Sequence, residues 1–204
     1  WQRLESHEIL PLANGESGKI EILADGKTWL LGRIDGIKAL AKVPEKDVER
    51  AYDSLVDALE DDFPDVRIAA LKTLPSFSLR RQGILLHCLS DRLQDDEDSV
   101  REEAMTCLKK VAPLFPSGCE EILRRELRDT RKDHRGNAFE ALKLASREWP
   151  EVGCLHLDEL IREEEGDLRI RGSMILRTIA SKGGAEAWDL IGWSLQDEEV
   201  QVRR

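Results

Sequence analysis

The sequence predicts an all-α protein, a solenoid of stacked helix pairs, and three observations predict it. Arginine recurs at 33, 67, 101, 135, 169 and 203, a constant spacing of 34 residues. Six of 20 arginines falling in one phase has a chance of roughly a few in a hundred thousand. Leucine stands seven residues after each of the first five (Leu40, Leu74, Leu108, Leu142, Leu176), and a small residue three after (Gly36, Ala70, Ala104, Ala138, Gly172). Leu55, Leu89, Leu123, Leu157 and Ile191 lie twelve before an arginine, and Leu59, Leu93, Leu127, Ile161 and Leu195 eight before. Offsets of three, four and seven share one face of a 3.6-residue helix. Each unit is thus a helix, an acidic turn and a second helix, as in Val48–Glu60, Asp61–Asp65 and Val66–Phe77. A single pair cannot bury its own apolar face, so the pairs must stack.

In chain order, residues 1–31 fall outside the phase, with Glu21 and Asp25 where leucines belong. Lys19–Leu23 and Thr28–Leu31 flank Ala24-Asp25-Gly26-Lys27, which reads as a β-hairpin around an Asp-Gly turn, a cap for the first helix. The repeats fill 32–204: a half unit at 32–44, units at 45–81, 82–112, 113–148 and 149–182, and a partial unit at 183–204. Gly183-Gly184 marks a break between helices. The start at Trp1 reads as trimmed, with no charged-then-apolar leader, and the end inside a second helix leads one to expect continuation or pairing there.

An acid stands six residues before each later arginine, giving the pairs Asp61/Arg67, Asp95/Arg101, Asp129/Arg135, Glu163/Arg169 and Asp197/Arg203. Stacking should bring each acid beside an arginine and build a structural ladder of charge-assisted hydrogen bonds. The motif Asp, four residues, Val-Arg (Asp61–Val66–Arg67, Asp95–Val100–Arg101, Asp197–Val202–Arg203) resembles HEAT repeats, in particular the short HEAT-like class of bilin-lyase-type prokaryotic proteins. The resemblance covers about 32–204 and departs at His134, Glu163 and Leu168. It implies a right-handed α-α superhelix, armadillo-like in outline, with second helices lining the concave side. Tetratricopeptide repeats share the period, but the prolines here keep no common phase.

No catalytic constellation emerges. His87 and His156 fall on first helices about 20 Å apart at 8–10 Å per helix layer, and His7-Glu8 lies outside the repeats. HEAT-like iron hydroxylases need such His-Glu pairs on several repeats. His134 takes a core-facing position and reads as a buried histidine. Neither a phosphate-binding glycine loop nor a nucleophile elbow occurs. Cys88, Cys107, Cys119 and Cys154 match no metal or redox spacing and read as core residues of a cytoplasmic protein. No cofactor, no metal and no enzymatic activity are expected, and no apolar run reaches the roughly 18–20 residues of a membrane span.

Charge distribution points to a binding role. The chain carries a net charge of -10, yet the second helices hold 17 basic and 5 acidic residues, and the first helices with their turns 9 and 31. The outward positions of the second helices supply candidate partner contacts: Lys38, Lys72 and Lys110 with Arg171 as basic points, Glu140 interrupting them, and Leu144 with Met174 as apolar anchors. The expected function is a non-enzymatic scaffold holding a protein or peptide of acidic character on that face. One alternative is a nucleic-acid binder, as in the HEAT-like alkylpurine DNA glycosylases. Asp35, Glu103 and Glu140 interrupt the stripe that phosphate tracking requires. A further alternative, implied by the bilin-lyase relatives, is an accessory subunit of a lyase-type enzyme.

Overall fold

A computed structural model describes residues 26–77, 82–163, 165–180, 182 and 184–204. Among these every regular element is helical. The chain divides into two compact units, the first ending at Phe77 and the second beginning at Ser78.

The first unit contains α1 (Gly26–Leu40), α2 (Val48–Leu59) and α3 (Pro64–Thr73), with short 3-10 turns at Glu45–Asp47 and Leu74–Phe77. All three helices touch one another. Ile37, Leu40, Leu55, Leu59, Val66, Ala70 and Leu74 are buried, the residues whose spacing marks one face of each helix. The hairpin expectation fails here. Thr28–Leu31 belongs to α1 rather than to a strand, and Lys19–Leu23 lies outside the described residues. Leu30, Ile34 and Ile37 are spaced four and three apart, so the helical register of α1 extends back through the segment read as a strand. Gly26 opens the helix rather than closing a hairpin turn.

The second unit contains α4 (Gln82–Arg92), α5 (Asp98–Val111), α6 (Pro116–Glu126), α7 (Lys132–Glu148), α8 (Pro150–Ile161), α9 (Gly166–Ile179), α10 (Gly184–Ser194) and α11 (Val200–Arg203). Contacts follow the 34-residue period. The first helices α4, α6, α8 and α10 each pack on the next of their kind, as do the second helices α5, α7, α9 and α11. Starts and stops have local causes. Pro116 and Pro150 stand at the first turn of their helices, where a missing N–H costs no hydrogen bond. Gly184 adopts φ +61°, a left-handed conformation that favours glycine. A Cβ on Gly172 would sit 3.4 Å from Leu160 Cβ, so the small residue three after the arginine permits close approach of α9 to α8.

The phase-fixed leucines form the core. Leu89, Leu93, Leu108, Leu123, Leu127, Leu142, Leu157 and Leu176 are all buried, and each fully buried leucine adds about 1.5–3 kcal/mol of transfer free energy. The last unit departs from the rule: Leu195 is 60% exposed.

Candidate functional site

The acidic turns are organised more locally than a ladder. In four turns the aspartate side chain accepts from the amide two residues on: Phe63 N to Asp61 at 2.9 Å, Glu97 N to Asp95 at 3.1 Å, Arg131 N to Asp129 at 2.7 Å and Glu199 N to Asp197 at 2.8 Å. These are Asx turns, which aspartate forms readily because its short side chain reaches its own backbone. The phased arginine then donates to the carbonyl six residues back. Arg67 reaches Asp61 O at 2.6 Å, Arg169 reaches Glu163 O at 3.0 Å and Arg135 reaches Asp129 O at 3.5 Å, while Arg101 and Arg203 make the same contact to Asp95 O and Asp197 O.

Two rungs between successive turns are well defined. Arg33 pairs with Asp61, and the buried Arg169 donates from Nε to the half-buried Asp197 at 2.8 Å. At Arg101 and at Arg135 the expected rung is rerouted. Arg101 pairs with Asp98 on its own helix, and Asp129 is taken by Arg131, its near neighbour, at 2.6 Å. Hydrogen bonds from Arg131 hold the Asp129 carboxyl down to about 2. Arg135 turns to Glu165 at 3.5 Å, because Glu163 is longer than aspartate and swings to Arg128 at 2.6 Å. A sidechain-to-sidechain ladder in every unit is therefore corrected to a clamp of side chain on backbone, with rungs where the acid is free to accept them.

The second-helix face reads differently once its charges have partners. Lys38 bonds Asp35 at 3.1 Å, Arg171 bonds Asp167 at 3.1 Å and Glu140 faces Lys143 at 3.4 Å, each within one helix. Arg171 also lies over the Phe139 ring at 5.4 Å. Lys110 on α5, Leu144 on α7 and Met174 on α9 sit on three successively packed helices, with Lys110 and Met174 exposed and Leu144 half-buried. Lys72, exposed, belongs to the first unit with Lys38.

A groove of about 720 Å3 opens on the opposite row, between α8 and α10. Leu155, Trp188 and Trp193 line it and are 48%, 66% and 57% exposed. Four acids share the groove with a single arginine. Arg162 stacks over the Trp193 ring at 5.0 Å and pairs with Asp158 at 2.6 Å. Glu151, Glu186 and Asp189 stand exposed around it. Sequence reasoning missed this site because acids on first helices look like a solvated face. The available signal was two tryptophans, Trp188 and Trp193, within one helix among acids.

Other titratable groups serve the packing. All four cysteines are buried; burial pushes the Cys119 thiol up to about 12 and raises Cys107 and Cys154 as well, so none of these three is a ready thiolate. His156 is buried, and burial lowers its pKa. His87 is exposed beside Asp91 at 3.7 Å, and His7 lies outside the described residues. Between α6 and α8, Arg124 bonds Glu159 at 3.1 Å, lowering the Glu159 pKa.

No family model and no curated protein matches the sequence. A crystal structure of an engineered protein is similar over 89% of this chain and 88% of its own, at 17% identity and a TM-score of 0.45. No helix among the described residues is long and apolar enough to cross a membrane.

Proposed function

We propose that the chain is a non-enzymatic HEAT-like scaffold, its helix pairs wound as a right-handed α-α superhelix, that docks a basic, amphipathic protein segment in the groove between α8 and α10. The exposed Trp188 beside Glu186 and Asp189 carries this reading. The protein's own Arg162 illustrates the chemistry: a guanidinium laid on Trp193 and held by Asp158. Trp188 with its acids offers the same combination of ring face and carboxylate, and no ion pair is assigned to Glu186 or Asp189 among the described residues. A partner's Arg or Lys supplies the missing cation, worth about 0.5–2 kcal/mol on the ring, while apolar side chains cover Leu155 and the tryptophan edges. Tryptophan and arginine are the residues most often dominant in binding interfaces.

This reading reverses the charge of the partner expected from the second helices. The acidic groove disfavours a nucleic-acid backbone, whose affinity rests on neutralising phosphates. On the second-helix face the cations of Lys38 and Arg171 are already matched within their helices, which leaves less charge there for an acidic partner.

A test uses a synthetic Lys/Arg- and Leu-containing helical peptide and its Glu-substituted counterpart, titrated by calorimetry. The basic peptide should bind and the acidic one should not. Glu186→Lys/Asp189→Lys should weaken binding about tenfold or more, with the loss shrinking at high salt. Lys110→Glu should change little. Equal binding of both peptides, or a larger loss from Lys110→Glu, would return the working face to the second helices.

A further inference from the structure

One turn breaks the repeat in its core. The residue just before the phased arginine is Val66, Val100, Leu168 or Val202 in four units, all buried. In the turn from α6 to α7 it is His134. The position nine before the arginine is Ala58, Arg92, Leu160 or Ser194 elsewhere, and here it is Glu126. Glu126 is wholly buried. A spot filled by Ala58 and Val66, or Leu160 and Leu168, in other units thus holds a carboxylate and an imidazole.

Their geometry leaves a gap. Glu126 Oε1 is held by Gln94 Nε2 at 3.1 Å and Arg125 Nε at 2.9 Å. Its Oε2 faces His134 Nδ1 at 3.8 Å, and both atoms are buried without a hydrogen-bond partner. That separation is too long for a hydrogen bond. It is close to the roughly 3.4 Å between two ligands of a tetrahedral ion with bonds of about 2.0–2.1 Å. A carboxylate oxygen of Asp129 completes a group whose ligand atoms all lie within 4.8 Å of one another.

We propose that Glu126 Oε2, Asp129 and His134 Nδ1 form a binding site for a divalent cation of the zinc type, with water as fourth ligand. One imidazole with two carboxylates suits Zn2+, whereas Mg2+ and Ca2+ require more oxygen ligands. The surrounding contacts act as outer-shell support. Gln94 and Arg125 orient Glu126 by its other oxygen, and Arg131 holds Asp129 through Nε at 2.9 Å and Nη2 at 2.6 Å. A carboxylate oxygen has a second lone pair, so these hydrogen bonds and a metal bond coexist, as they do around known metal ligands. The two arginines offset the two carboxylates, which moderates affinity and keeps the ion-free turn folded. Bound metal would tie the end of α6 to the start of α7 and, through Gln94, to the turn before α5.

The experiment measures calorimetric binding and thermal melting of the whole chain with Zn2+, and with Mg2+ as the control. Zn2+ should bind once per chain. At a hundredfold excess over its Kd it should raise the melting temperature by roughly 5–10 °C, with Mg2+ having no effect. His134→Gln and Glu126→Gln, each shown folded by circular dichroism, should lose more than the ~10–100-fold that an outer-shell change costs; His87→Gln should lose nothing. Cobalt substitution should give a visible spectrum without a thiolate charge-transfer band, separating this site from the cysteines. No Zn2+ binding by the wild type, undiminished binding by His134→Gln, or a thiolate band would each overturn the assignment.

Discussion

The turn that follows α6 and the turn that follows α10 occupy the same place in the repeat and solve it in opposite ways. Around Asp197 the arrangement is regular: Arg169 of the preceding unit reaches across to the carboxylate, Arg203 clamps the backbone, and Val202 fills the core. Around Asp129 the carboxylate is claimed by Arg131, Arg101 stays on its own helix, and the core holds Glu126 and His134. The turn after α10 is tied to the preceding unit by an arginine rung. The turn after α6 gives up that rung, keeps the Gln94 contact, and places unpaired polar atoms where apolar contact was available. Leaving a buried polar atom unsatisfied costs about 1–3 kcal/mol, a cost that the proposed metal site would offset.

Removing the regular rung should have the largest effect. Arg169→Ala removes a buried guanidinium, leaves the half-buried Asp197 with nothing cationic from the preceding unit and should cost about 2–4 kcal/mol in urea melts. Arg101→Ala loses only its clamp and an in-helix pair, and should cost about 1–2 kcal/mol. Equal losses would mean that the two turns do not differ in how they are joined.

Next comes the polar pair. His134→Val alone leaves Glu126 buried and should cost about 1–3 kcal/mol. Glu126→Leu with His134→Val restores the apolar pattern of the other units, and should match or exceed the metal-free wild type in stability. Added Zn2+ should then stabilise the wild type and not the double variant. A double variant as damaged as the sum of its parts would break the comparison.

The smallest effect is in pH. Burial alone would raise the Asp197 carboxyl, but the Glu199 amide and Arg169 hold it below its ordinary value of 3.8. Its folded pKa is depressed, so its stabilisation is complete above 3.8 and lost as pH falls through the lower folded value. Arg169→Ala should flatten that acid-side slope in denaturant melts between pH 5 and about 2. An unchanged slope would show that the rung does not set the titration.

Much of the architecture was legible because it repeats. Leu89, Leu123 and Leu157 recur at one phase and all are buried, and the helix pair predicted at Val48–Phe77 closely matches α2, α3 and the 3-10 turn after them. What repeats could not reveal is what happens once. Asp25-Gly26 resembles a hairpin turn in isolation, and only the helical register of Leu30 and Ile34 decides otherwise. His134 was visible as a departure, but its partner Glu126 looked like one more charge on an acidic first helix. Its phase, nine before the arginine, was the missing clue. The α8–α10 groove escaped for a similar reason, since exposure of Trp188 depends on packing that no single-helix pattern records.

The clamp from the five phased arginines after Arg33 to the carbonyl six residues earlier has a consequence for how such a chain can grow. Because the acceptor is backbone, the residue bearing it is free to change, as Glu163 shows. Because donor and acceptor lie in one 34-residue piece, a copied segment carries its own closure wherever it is inserted. Gene duplication can therefore lengthen the array first, and later substitutions can remake individual turns without unfastening the rest.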